Sequence, residues 1–594
     1  MAVKRSEVPQ EKTWRLEDIY ETNDAWEAEY ALLDKLSTEL NEYSGKLGSA
    51  AVLKEALDKY FKAELIAERL FTYAKMRLDG DNNDTFYQAL ISRAEAVSVR
   101  FESSASFFAP ELLAEDESYL KGLLDDEAFK DYDRYISELI RQKPHTLNAS
   151  EEKLLAMTGT MGSTASTVYD RLTDADMKFP TIEGEDGQPV EITHANYIPF
   201  LFSKKESVRK AAFDGLYSTY KSFSATIPAV YAGSVNADVF YARASKFASA
   251  LDARLFPDDM PESVYTHLID TVHKHLPALD RFVALNGKLN GIDHMHMYDV
   301  YLPPKFGFDI NLPFDEAYEV VVDSLKALGP DYQKVLRRAH DERWIDPFEN
   351  AGKSSGAYSW GTYDSHPYVL MSYKEDLDHL QTIAHEMGHS MHTYYSNEAQ
   401  PYSKSGYSLF VAEVASTVNE VLVLYELMDR YPDKDAQAYL LFNLLESYRG
   451  TLFRQTMFAE FERESHRMAE NDEPLTAQSL NDFYYELNKQ YYGAAVEIDP
   501  LIAYEWMRIP HFYRSFYVYK YATGFSAAMA IAAMIRAEGE PAVKRYKKFL
   551  SAGGSVSPLD ALRLAGIDMA SPEPVEKALD QFDALLEKYE KVIG

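Results

Sequence analysis

The chain has 594 residues, with 61 Lys and Arg against 94 Asp and Glu, a formal net charge of −33. That balance excludes nucleic-acid binding driven by bulk charge, while 46% hydrophobic and 26% charged residues describe a folded globular protein and not a disordered one. There is no cysteine, hence no disulfide framework, thiolate metal site or thiol nucleophile, and any bound transition metal must use His, Asp or Glu.

Residues 1–12 turn charged with no apolar run behind their basic residues, which is not the pattern of a secretory signal. From residue 16 to about 143 the pattern is helical segments with short polar breaks. Asp24-Ala-Trp-Glu-Ala-Glu-Tyr-Ala-Leu-Leu places apolar residues at three- and four-residue steps, and the run closes near Ser44-Gly45-Lys46. Asp79-Gly80-Asp81-Asn82-Asn83-Asp84 marks the next break, and Pro110 opens another helical stretch.

Between 174 and 193 two short extended runs flank Glu183-Gly-Glu-Asp-Gly, predicting a β-hairpin that Pro180 and Pro189 weaken. Helical texture resumes at Ser203-Lys-Lys-Glu. Because single cores stop growing at about 250 to 300 residues, we expect a helical amino-terminal domain ending in this hairpin (1–195) and a second domain (196–594). A further non-helical stretch, 357–373, is rich in aromatic and β-branched residues around Asp364-Ser365 and predicts paired strands. The longest uncharged apolar window, 521–535, is shorter than the roughly 20 residues a bilayer requires. A soluble, cytoplasmic chain with no membrane or nucleic-acid partner is the expectation.

Directly after the paired strands comes a helix containing His385-Glu386-Met387-Gly388-His389. Four residues make about one helical turn, so His385 and His389 project from one face and can bind one metal, with Glu386 beside the remaining coordination positions. Downstream, Phe410-Val-Ala-Glu413-Val-Ala-Ser-Thr-Val-Asn-Glu420 is an otherwise apolar helix with two carboxylates seven residues apart on one face. A buried carboxylate is costly unless paired or metal-bound. Ligation by Glu413, with Glu420 as an outer partner, relieves that cost. His392 lies about 10.5 Å along the helix from His385, too far to share the ion, and is expected to be packed or to sit behind the ligands as an outer partner.

Two histidines, one glutamate and an open fourth position describe a catalytic zinc site. Water acidified by zinc, with Glu386 taking its proton and passing it to the leaving amine, amounts to amide hydrolysis. The developing oxyanion needs further donors. His511, Tyr513, Tyr517, Tyr519 and Tyr521 fall within eleven residues and offer an imidazole and four phenols, although a chain with 43 tyrosines also uses such clusters as core or groove lining.

These motifs, with Gly356-Ala-Tyr358-Ser, His366-Pro-Tyr-Val-Leu-Met-Ser-Tyr, Ile509-Pro-His511-Phe-Tyr513 and the amino-terminal Thr13-Trp-Arg-Leu-Glu-Asp-Ile-Tyr, resemble the oligoendopeptidase F group of the thimet oligopeptidase family along essentially the whole chain. The resemblance implies a mainly α fold, two helical lobes around a deep substrate channel, and a small β-ribbon next to the zinc-binding helix. It implies one Zn2+ on His385, His389 and Glu413, Glu386 as base, and on the substrate carbonyl His511 with one or more of the following tyrosines, Tyr517 first, with Tyr513 and Tyr519 as its competitors. Tyr358, His366, Tyr513 and Tyr519 are its candidate substrate contacts, with short peptides as substrates. One departure stands out: Gln381 occupies a position where thimet relatives often carry an acid, which leaves the outer partner of His385 open. Two rivals to an endopeptidase are a carboxypeptidase of related fold, using Arg508 or Arg514 for a terminal carboxylate, and a non-catalytic peptide-binding chamber.

Overall fold

The computed structural model describes residues 3–594. It is 71% helical with one two-stranded and one three-stranded sheet, the mainly α fold that the periodicity predicts. No helix among the described residues is long and apolar enough to cross a membrane. Contacts divide the chain into two compact units of three segments each: Met1–Thr146, Asp309–Leu427 and Ile531–Ile567 in the first, and Leu147–Phe308, Met428–Ala530 and Asp568–Gly594 in the second. The expected boundary at residue 195 does not coincide with either. Local texture shows where helix yields to strand, but not which distant helices share a core. Two of the crossings even fall inside continuous helices, Leu409–Arg430 and Tyr519–Glu538.

In the first unit, helices α1 (Asn23–Leu40), α2 (Ala50–Gly80) and α3 (Thr85–Ala105) pack together. The Thr22 hydroxyl caps α1 by accepting from the Ala25 amide at 3.3 Å, and Asp84 caps α3 through the Phe86 amide at 2.9 Å. Their apolar stripes bury Trp26, Leu33, Leu40, Leu57, Leu70 and Met76, and the Trp26 indole donates to the Leu70 carbonyl at 3.0 Å. In the second unit, the expected hairpin forms as β1 (Thr181–Glu183) antiparallel to β2 (Pro189–Glu191), with Gly187 at positive φ in the turn.

The paired strands of 357–373 form as β4 (Tyr358–Trp360) and β5 (Tyr368–Leu370), in the first unit. They are joined by β3 (Ile345–Asp346), which pairs parallel with β5 to give the order β3-β5-β4. The sequence pattern did not predict β3, because two residues carry no readable alternation. Strand β4 therefore has one edge with no strand partner among the described residues. It rests on helix α4 (Leu377–Ala399), where the Ser359 and Ser390 hydroxyls lie 2.8 Å apart.

Helix α4 starts at an Asp376 cap that accepts from the His379 amide at 2.8 Å, and it buries Leu380, Ile383, Ala384, Met387 and Met391. Gly388 decides how closely α5 (Leu409–Arg430) approaches. A Cβ at Gly388 would meet the Ser416 Cα at 2.5 Å and the Ala415 carbonyl at 2.6 Å, so only glycine allows this backbone contact. Asn419 locks the crossing by donating to the Ala384 carbonyl at 3.1 Å while accepting from the Tyr332 hydroxyl at 2.9 Å.

Candidate active site

The α4–α5 crossing delivers the side chains the sequence singled out. His385 Nε2 and His389 Nε2 lie 3.2 Å apart, and Glu413 Oε2 is 3.3 Å from the first and 3.4 Å from the second. Two imidazole nitrogens and a carboxylate oxygen converging this closely are a donor set suited to a divalent transition metal. The Ser416 hydroxyl, not anticipated from the sequence, donates to Glu413 Oε2 at 3.1 Å and steadies it.

The Nδ1 of His385 is hydrogen-bonded to the Glu420 carboxylate. That contact makes Nδ1 the protonated nitrogen and turns the Nε2 lone pair toward Glu413 and His389. The side chain that left the outer partner of His385 in question, Gln381, instead reaches the Glu420 backbone carbonyl at 3.4 Å. Glu420 fills the outer-partner role.

The electrostatics favour a cation. Burial alone would lower the pKa of His385, but the hydrogen bond and charge of Glu420, with Glu386 and Glu413, raise it to about 9. Burial pushes Glu413 up, yet His389, His385 and the Ser416 hydroxyl together hold it down at about 2. Glu386, 6% exposed, lies above the ordinary carboxylate value, chiefly through burial, with the two histidines opposing. Its Oε2 is buried with no hydrogen-bond partner. His392 is not part of the group: fully buried, it stacks on Tyr407 at 3.7 Å and packs on Phe549, and burial holds it neutral with a pKa of about 3.

Other expected contacts are engaged elsewhere. The Tyr358 hydroxyl donates to Asp79 at 2.9 Å. His366 stacks on Trp344 at 4.4 Å, with Nδ1 2.9 Å from the Pro367 carbonyl and Nε2 3.0 Å from Asp18. These bonds tie the polar atoms of both side chains to groups of their own unit.

In the second unit, His511 and Tyr517 face each other with rings 6.1 Å apart and nearly parallel. Tyr521 completes the cluster, its hydroxyl 3.4 Å from His511 Nε2 and its ring 5.3 Å from that of Tyr517. Tyr521, one of the four phenols the sequence offers but not one to which the resemblance gives a role, sits four residues beyond Tyr517. Burial, then the positive charge of Arg514, keep the His511 pKa below its usual value, so the imidazole is neutral. The two competing tyrosines are packed instead. Tyr513 stacks on Tyr169 at 4.2 Å with its hydroxyl buried, and Tyr519 is 0% exposed against Tyr265.

Comparison with known proteins shows the family of the chain. The model of Peptidase family M3 matches residues 200–581, and that of Oligopeptidase F matches 111–179. The chain is 44% identical to oligopeptidase PepF of Bacillus subtilis, over 99% of this chain and 88% of that protein. It is 37% identical to an oligoendopeptidase F homolog of Lactococcus lactis, over 100% and 99%. Among solved structures, oligoendopeptidase-F from Enterococcus faecium aligns at 34% identity and TM-score 0.74, covering 96% of this chain and 99% of that one. A Chlamydophila abortus structure aligns at 32% and 0.94 over the full length of both chains. On these grounds the chain belongs to peptidase family M3, in its oligoendopeptidase F group, and is a metalloendopeptidase.

Proposed function

We propose that the chain is a zinc-dependent, cytoplasmic oligopeptidase that hydrolyses internal bonds of short unstructured peptides, with Glu386 as general base. The observation that carries this reading is a buried carboxylate, Glu386, with a partnerless oxygen on the turn that bears His385 and His389. A site serving structure alone has no use for such a group, which counts against a non-catalytic chamber.

His385, His389 and Glu413 would hold the zinc ion, which when bound would supply Lewis-acid polarisation of the peptide carbonyl and acidify water at the site. Glu386 accepts the proton of the attacking water and returns it to the amine nitrogen as the C–N bond breaks. Burial supports this role, because a carboxylate lifted above its ordinary value is a better proton acceptor. Glu420 keeps the His385 ring in one tautomer throughout. The free edge of β4 offers backbone groups to which an extended peptide adds as a further strand, laid over α4. His511 and Tyr517 are assigned to the carbonyl oxygen as it gains charge, a neutral imidazole and a phenol being suitable donors.

The carboxypeptidase alternative loses ground on Arg508. Its guanidinium is 3.3 Å from both Glu505 and the Tyr217 hydroxyl and faces the Tyr197 ring, so it is committed to an internal cluster. The direct test is Glu386→Gln, which keeps shape but cannot accept the proton. Peptide turnover should fall by about 10² to 10⁴-fold with zinc content unchanged. Near-normal turnover in a zinc-loaded variant removes Glu386 from the base role.

A further inference from the structure

The loop 509–518 carries His511 and Tyr517, and it is held from behind by a residue that no motif contains. Phe516 sits at φ +55° and is the one buried side chain among the described non-glycine residues at positive φ. A bulky L-residue avoids this left-handed region because its Cβ crowds the following carbonyl. It persists only where the surroundings fix it.

The fixing contacts converge on Phe516. Glu462, on the helix Arg454–Glu470, is 0% exposed, and its Oε1 accepts from the Phe516 amide at 3.0 Å. Its Oε2 has no partner. The Phe516 ring lies 4.4 Å from that of His466 and meets Tyr265 edge-on at 5.8 Å. His466 is itself anchored, with Nδ1 2.8 Å from the Glu462 carbonyl and Nε2 3.4 Å from Asp238.

We propose that Glu462 is a positioning residue for the peptidase reaction: by capturing the Phe516 amide it holds the left-handed turn that sets Tyr517 against His511. The inference rests on the reading that His511 and Tyr517 meet the substrate carbonyl. Glu462 lies in none of the zinc, base or tyrosine motifs, and it acts through the backbone, never touching the substrate. The turn links the short helix Pro510–Tyr513 to the helix beginning at Tyr519, and residue 517 follows the left-handed Phe516 directly, so the hand of the turn decides which way residue 517 points. An acceptor oxygen is all the contact requires. Burial raises the Glu462 carboxyl above its usual value, and glutamine keeps both the shape of the side chain and an acceptor oxygen for the Phe516 amide.

The test measures kcat and KM on a susceptible peptide, with metal content verified, for Glu462→Gln, Glu462→Leu, Tyr517→Phe and the Glu462→Leu/Tyr517→Phe double variant. Glutamine should keep kcat within about twofold, whereas leucine should lower it about tenfold or more with KM little changed, since the loss falls on transition-state contacts. The double variant should lose no more than Tyr517→Phe alone, because the two act as one unit. Losses that multiply, or a leucine variant with normal kcat, overturn the proposal while leaving the Tyr517 assignment intact. Wild-type kcat in Tyr517→Phe overturns that assignment and the proposal together. Should the leucine variant not fold, Phe516→Gly against Phe516→Ala decides. Both lose the ring, but only alanine strains the left-handed turn, so glycine must retain the higher kcat; equal values reject the role of the turn.

Discussion

Glu420 gives the sharpest test of how the metal site is built, because its role depends on one contact. Its carboxylate meets His385 Nδ1, and Glu420→Ala leaves that ring nitrogen facing space. Losing such an outer partner of a metal-bound imidazole typically costs 10- to 100-fold in metal affinity, about 1.4 to 2.7 kcal/mol. The Glu420 side chain is 30% exposed, so water replaces part of the lost acceptor and the expected value lies in the lower half of that range. Glu420→Gln keeps an acceptor but drops the charge. Hydrogen bonds to charged groups are worth roughly 1 kcal/mol more than neutral ones, so about a fivefold loss is expected. Competition with a chromophoric chelator at fixed pH gives both affinities, with circular dichroism to confirm the fold. Unchanged zinc affinity in Glu420→Ala would refute the claim that this contact orients His385.

Glu413→Ala should purify with substoichiometric zinc, read by elemental analysis, because the remaining two imidazoles hold the ion weakly; full occupancy would assign the third ligand elsewhere. Glu68 titrates near pH 7, raised chiefly by burial, with Tyr402 opposing and Glu64 and Asp364 adding. Its folded value exceeds the unfolded one, so the folded state binds the extra proton, and stability falls as pH rises from about 4.5 to about 7 and then levels off. Glu68→Gln should therefore raise the melting temperature at pH 8 more than at pH 5, and an equal shift at both would contradict this sign. One susceptible segment should be cleaved as a free peptide but spared inside a stable folded domain, since unfolding a host costs about 5 to 15 kcal/mol; equal rates would mean that access to the zinc is open.

The grouping of the candidate metal ligands was legible because its signal is local. A four-residue spacing puts His385 and His389 on one face, and two carboxylates in an apolar helix demand a reason. Glu420 was legible for the same reason, whereas Ser416 carried no mark beyond standing three residues after Glu413. The tyrosines were not sorted, because short helix Pro510–Tyr513 and the left-handed Phe516 break the periodicity by which faces are read. The partners of Tyr358 and His366 were not legible, because Asp79 and Asp18 stand 279 and 348 residues away in sequence. The helical class was evident throughout. The pairing of distant segments into two units was not, since no local pattern records which helices share a core.

The central claim is zinc-dependent cleavage within peptides. A mixed peptide library digested by the purified enzyme, by the chelated enzyme and by the chelated enzyme restored with one equivalent of zinc, with products read by mass spectrometry, tests it most directly. The account predicts internal cuts in the first and third digests and none in the second. Internal cuts persisting in verified metal-free protein, or release of single terminal residues only, would contradict it.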